Sequence, residues 1–162
     1  MPIVKRKAFA YVTHWRPEDG HRLLVFSHPN SPEAGIQVPA GTMEADESPD
    51  EAVLREAHEE TGLTGLELVG FLGEQLHDLT DLGVPEIHHR YFFHVRCSGD
   101  PPAVWRHYES DPSDGSPEPP LFELFWASLP DGVPDLIADH GIMLPVLLSS
   151  LSDPVRRRDP PA

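Results

Sequence analysis

Residues Gly41 to Leu63 read GTMEADESPDEAVLREAHEETGL, and the rest of the chain is best understood outward from them. The middle of this stretch predicts a helix. Ser48 can cap it, Pro49 suits its first position, and Glu51 completes a capping box. It is expected to run to about Thr61, with Gly62 as a left-handed stop. Val53 and Ala57, with Leu54 beside them, give it a narrow apolar face.

Glu56, Glu59 and Glu60 stand at i, i+3 and i+4, so their carboxylates leave the helix on one side. On a bare helix this is unfavourable. Like charges at that spacing repel by ~0.2–0.5 kcal/mol per pair. Near a helix C-terminus the dipole disfavours each carboxylate by a further ~0.3–1 kcal/mol. Two local rules broken in one place mark a candidate functional site. A bound cation would remove both penalties, and hard oxygen donors without cysteine suit Mg²⁺ or Mn²⁺. Taken alone, though, three glutamates also describe a solvated acidic helix face.

Upstream, residues 3–14 are rich in β-branched and aromatic side chains and predict a strand. A second strand, His21 to Ser27, carries the unbroken apolar run Leu23-Leu24-Val25-Phe26, as a strand buried on both faces does. The short run Ile36-Gln37-Val38 then leads through Pro39-Ala40 to Gly41. Downstream, Leu66 to Leu76 and Ile87 to Val95 predict two more strands. In the latter, Ile87, His89, Tyr91, Phe93 and Val95 share one face, with His88, Arg90, Phe92 and His94 on the other. Residues 98–120, full of Pro, Asp, Ser and Gly, read as a long loop carrying Trp105 and Tyr108. Leu121 to Leu129 predicts a strand, and Leu136 to Leu151 a helix interrupted or offset near Pro145. The order β-β-α-β-β-β-α predicts one layered α/β domain with a mixed sheet over residues 1–152. Residues 153–162, with Arg156-Arg157-Arg158 and three prolines, are expected to form a flexible tail.

The 162 residues carry 12 basic and 27 acidic side chains, a net charge of −15 with histidines neutral. This argues against a nucleic-acid polymer or an anionic membrane as partner, since binding by counterion release needs a basic surface. An acidic chain can still hold phosphates through metal ions. Cys97 is the only cysteine, which suits a reducing cytoplasm. The basic N-terminus lacks the apolar core of a signal peptide, and the apolar stretch from Ile142 is too short to span a bilayer.

The opening stretch resembles the box of the Nudix (MutT-like) hydrolase family. Gly41, Glu47, Arg55, Glu56, Glu59, Glu60 and Gly62 fill its fixed positions and Leu63 its final apolar one. Ala57 is a small occupant of the internal apolar slot. The resemblance implies an α/β/α sandwich with a catalytic loop–helix–loop, and hydrolysis of the pyrophosphate linkage of a nucleoside diphosphate joined to another moiety. It implies Glu56, Glu59, Glu60 and the Gly41 carbonyl as ligands for Mg²⁺ or Mn²⁺. Arg55 would orient carboxylates, with Glu47 in a supporting role. For the general base it leaves Glu56 or Glu60, or a glutamate on a later loop. Glu118 and Glu123 are the later candidates, Glu123 first for its nearness to Trp126, with Glu109 behind them.

Arg90, Trp105 and Lys5-Arg6-Lys7 are expectations for contacts to a nucleotide-like small molecule, each also explicable as structural or surface residues. His88 and His89 point to opposite faces of a strand and cannot chelate one ion. The spacing signatures of substrate subfamilies are missing: Asp78 and Leu79 stand where ADP-ribose hydrolases tend to carry a proline, and Leu79, Thr80 and Asp81 supply no tyrosine. Two alternatives remain: a non-catalytic Nudix-like nucleotide sensor, though such domains commonly lose box glutamates, and a diphosphate isomerase, which would want an active-site cysteine. A homodimer, common in the family, is neither favoured nor opposed by the sequence.

Overall fold

The computed structural model describes residues 1–109 and 118–152. In chain order its elements are β1 (Ile3–Arg16), β2 (Gly20–Ser27), β3 (Ala40–Thr42), α1 (Pro49–Thr61), β4 (Leu66–Asp78), β5 (Glu86–Cys97), β6 (Val104–Tyr108), β7 (Leu121–Ser128) and α2 (Leu144–Ser152). β1 is the axis. Along one edge it runs parallel to β5, from Ile3–Glu86 to Thr13–Arg96. Along the other, its second half pairs antiparallel with β2 and its first half with β3. The sheet order is β4-β5-β1-β2-β7-β6, with β3 paired to β1. One parallel pair among antiparallel ones makes the sheet mixed.

Alternation along the strands divides the core in two. Ala8, Ala10, Val12, Leu24, Phe26, Phe93, Val95, Phe122 and Leu124 face α1 and pack on Ala52, Val53 and Ala57. Phe9, Tyr11, Leu23, Val25 and Phe92 face the other way and pack on Leu147 of α2. A helix on each face gives the α/β/α sandwich that the box resemblance implies. The unbroken apolar run in β2 reflects this double burial.

α1 starts and stops where its sequence says. Ser48 accepts from the Glu51 N–H, Glu51 accepts from the Ser48 N–H, and Gly62 sits at φ 73°. Elsewhere the sequence reading is corrected. The expected loop 98–120 contains β6, whose antiparallel ladder with β7 runs from Val104–Phe125 to Tyr108–Leu121. β3 is three residues long, below the length at which alternation shows. Pro145 does not interrupt a helix: it is the second residue of α2, where the missing N–H would have no intrahelical partner. Residues 110–117 of the expected loop and the expected tail 153–162 lie outside the described residues. Among the described residues no helix is long and apolar enough to cross a membrane.

Candidate functional site

The strand that enters the box is pinned from both faces of the sheet. The Val38 N–H donates to His140 Nδ1 (3.2 Å), which must therefore be a bare acceptor, and burial pushes that imidazole down to about 3. Two residues on, the Ala40 N–H donates to Glu60 Oε1 at 2.7 Å. Gly41 then passes against the Glu56 carboxylate so closely that a Cβ there would lie 2.0 Å from its Cδ. Glycine is required here for space.

Arg55 organises the acidic residues around this strand. Its guanidinium grips Glu47 with two bonds, Nε to Oε2 at 2.5 Å and Nη2 to Oε1 at 2.8 Å. Nη1 donates to Glu56 (2.9 Å) and Glu59 (3.2 Å), and Nη2 also reaches the Thr42 carbonyl at 3.2 Å. The paired Glu47 carboxyl is held below its ordinary range by that contact. A planar, permanently charged fork can serve these acceptors together, where an ammonium could not.

Glu56 and Glu60 are buried on α1, and the structure adds a third buried carboxylate, Glu109. Each offers an oxygen, and these oxygens lie within 4.8 Å of one another. Burial pushes the Glu56 carboxyl up to about 7 against the pull of Arg55, and the like charges of Glu59 and Glu109 add to the rise. Burial, then Glu109, pushes Glu60 well above its ordinary range. Glu56 Oε2 is buried with no hydrogen-bond partner among the described residues. Three crowded, desolvated carboxylates are costly unless a cation joins them.

Glu109 reaches this cluster because β6 hangs from α1. Trp105 Nε1–H donates to the Thr61 carbonyl (2.9 Å), and His107 Nε2 to the Glu59 carbonyl (3.0 Å). Alternation along the strand then carries Glu109 to the same side. The signal was present in the sequence as that spacing, once a strand is recognised at 104–108.

The same alternation removes Glu123 as a base. Its neighbours Phe122 and Leu124 point into the α1-side core, so Glu123 faces the opposite way, ion-paired to Arg106 at 3.0 Å. Glu118 is exposed. Trp105, expected at the substrate, is occupied in holding β6 to α1 and packs against the α1-side core. Arg90, also expected there, is only 4% exposed. It lies 4.9 Å over the Phe9 ring and donates to the Ala138 carbonyl at 2.6 Å. His88 pairs with Glu86, while His89 stacks on Tyr91 two residues along β5 on the opposite face, so the two diverge as strand geometry requires.

Residues 5–140 match the family model described as the NUDIX domain. None of the curated proteins matches the chain. Among solved structures, a MutT NUDIX hydrolase from Burkholderia pseudomallei is 25% identical with a TM-score of 0.56, covering 89% of this chain and 98% of that one. The NUDIX domain of Shewanella oneidensis NrtR, complexed with ADP ribose, is 18% identical at a TM-score of 0.58, covering 94% and 90%. A UDP-X diphosphatase is 15% identical at 0.57, covering 92% of this chain and 62% of that one. A match spanning residues 5–140 answers the question the box raised: the chain belongs to the NUDIX family, and it is a hydrolase acting on pyrophosphate bonds.

Proposed function

We propose that the chain hydrolyses the pyrophosphate linkage of a nucleoside diphosphate joined to another moiety, by attack of water at phosphorus with Mg²⁺ or Mn²⁺ as cofactor. One observation carries the reading: three buried carboxylates converge within 4.8 Å beside Gly41, where only glycine fits, one of their oxygens without a partner among the described residues. All-oxygen donors of this kind fit a hard divalent cation. Glu56, Glu60 and Glu109 would hold it, with Glu59 and the Gly41 carbonyl as further ligands. When bound, such an ion supplies positive charge at the phosphate oxygens and lowers the pKa of water.

The chain's own residues do the remaining work. Arg55 fixes the direction of Glu56 and Glu59 from one side and is itself fixed by Glu47. Ala40 fixes Glu60 through its N–H. Glu56 or Glu60, the box glutamates nearest the ion, would accept the proton from the attacking water. Water enters in line with the leaving phosphate, and two phosphate monoesters leave. Positioning and electrostatics supply most of the rate.

The test is a panel of nucleoside triphosphates, nucleotide sugars, ADP-ribose, NADH and dinucleoside polyphosphates with Mg²⁺ or Mn²⁺, alongside a Glu59→Gln, Glu60→Gln double variant. Turnover that requires metal and collapses in the variant is the expected result. A folded wild type that binds a nucleotide but turns nothing over would replace this reading with that of a nucleotide-sensing domain.

A further inference from the structure

On the α2 side of the sheet, beyond the apolar core, the strands carry two rows of polar residues. Alternation places Lys5 and Lys7 of β1 on the face of Phe9 and Tyr11, and His88 and Arg90 of β5 on that of Phe92. The register sets Lys5 beside His88, with His77 of β4 next, and Lys7 beside Arg90, with Gln75 next. The rows differ in one respect. Lys5 is neutralised by Glu86 at 2.8 Å, and His88 shares the same carboxylate. Lys7 makes no side-chain hydrogen bond or ion pair among the described residues. Arg90 beside it bonds only neutral oxygens, and its buried Nε has no partner.

Two adjacent cations with no direct carboxylate ion pair among the described residues are unusual in a chain of net charge −15, Asp139 favouring the Arg90 charge only through space and through Gln75. Burial, then Lys5 and Arg90, holds the Lys7 ammonium below the ordinary lysine range, while Glu86 and Glu56 attract it. Lys7 also lies at the end of the sheet that carries the acidic site. It pairs with Thr42, and its neighbour Ala8 pairs with Gly41, against which Glu56 rests. Lys7 thus presents a desolvated positive charge on the α2 face of the sheet, at the strand position that pairs with β3 and within electrostatic reach of Glu56.

We infer that Lys7 binds a phosphate group of the substrate other than the two joined by the scissile linkage, with the buried Arg90 behind it adding positive charge but no contact. This rests on the hydrolase reading for where the scissile linkage sits. The chemistry is that of a phosphate monoester or terminal phosphate, and two sources supply it: the end of a nucleoside triphosphate, or a phosphate on a ribose. The chain's overall negative charge repels longer polyanions, so Lys7 selects a small ligand.

The experiment compares substrates that differ by that one group, ATP with ADP and NADPH with NADH, in the wild type and in Lys7→Met, Lys7→Arg and Arg106→Met. Binding of inorganic tripolyphosphate is measured by calorimetry in EDTA. Lys7→Met should raise KM for the member bearing the extra phosphate about tenfold, well beyond its effect on the other member. It should weaken tripolyphosphate binding to the same degree, and Lys7→Arg should restore most of both. Arg106→Met, on the outer side of β6, should change neither. The substrate pair that separates identifies the source of the phosphate. Equal losses for both members, or no loss, would overturn the inference while leaving hydrolysis standing. Absent hydrolysis with tripolyphosphate binding still dependent on Lys7 would overturn the hydrolase reading and leave the anion site. Absence of both effects would overturn both.

Discussion

Gly41→Ala adds a single methyl group, and the site responds to it in a calculable way. Gly41 sits in β3 with backbone angles outside the left-handed region, so the backbone accepts alanine and the effect is steric. The new Cβ would lie 2.0 Å from Glu56 Cδ and 2.1 and 2.3 Å from its two oxygens. Carbon atoms pack at ~3.5–4.0 Å, so the carboxylate must retreat by about 1.5 Å. It cannot do so and keep its 2.9 Å bond to Arg55. Overpacking of this kind costs ~1–3 kcal/mol, a fall in Tm of roughly 2–12 °C for a chain of this size. Misplacing a catalytic group by ~1 Å costs about 100-fold in rate, so kcat should fall by about two orders of magnitude. The assay is kcat at saturating substrate and metal, with thermal unfolding of the metal-free chain alongside. A variant with kcat within about twofold of wild type and unchanged unfolding would refute the placement of Glu56 against β3.

Three further outcomes are expected. Because the folded pKa of Glu56, about 7, exceeds its ordinary value of 4.5, the folded chain retains a proton that the unfolded chain gives up between those pH values. The stability from that proton is therefore present below the lower value and lost as pH rises through the upper one. His94 and His140, pushed down to about 4 and about 3 by burial, act in the opposite sense below 6.5. The readout is thus the difference between wild type and Glu56→Gln in EDTA, which should shift against the wild type by on the order of 3 kcal/mol from acid to mildly basic pH; a flat difference would contradict it. Glu109→Gln should lower kcat by about 100-fold yet stabilise the metal-free chain by about 1 kcal/mol, by relieving like charge on Glu56 and Glu60, whereas Glu123→Gln should change neither; equal losses in steady-state kinetics would show that β6 does not deliver the third carboxylate. Arg55→Lys should lose the two-bond grip on Glu47 and cost roughly 2 kcal/mol in denaturant unfolding with about tenfold in kcat, and a double-mutant cycle with Glu47→Gln that shows no coupling would dismiss that contact as an organiser.

The helix and its acidic face were legible because their signals are local. Ser48, Glu51 and Gly62 act within one turn, and the spacing of Glu56, Glu59 and Glu60 fixes their side without knowledge of the fold. β2 was legible for the same reason, since its apolar run needs no partner to be recognised. β6 was hidden: Val104–Tyr108 is a respectable strand sequence, but the Pro, Asp, Ser and Gly around it dominate any window that contains it. Without β6, Glu109 ranked behind Glu118 and Glu123, because whether a side chain in a strand faces the site depends on the register of its pairing. That is also why Glu123 looked plausible and is not: one residue of alternation separates the face of Phe122 from its own. Arg90 illustrates the remaining gap. Nothing within β5 distinguishes a guanidinium open to ligand from one stacked on Phe9, because the ring arrives from a strand some eighty residues away.

The hydrogen bond from the Glu109 N–H to the Pro120 carbonyl, 3.1 Å, closes a neck across which the chain leaves and re-enters the sheet. Trp105 and His107 anchor the outgoing side to α1 before that neck is reached. The backbone that delivers Glu109 is therefore anchored upstream of the neck. Lengthening a closed excursion costs little, about 0.6 kcal/mol per doubling. Glu109 and Pro120 thus mark a splice point, where the length of chain between them can differ at small cost while the Glu109 backbone keeps its pairing.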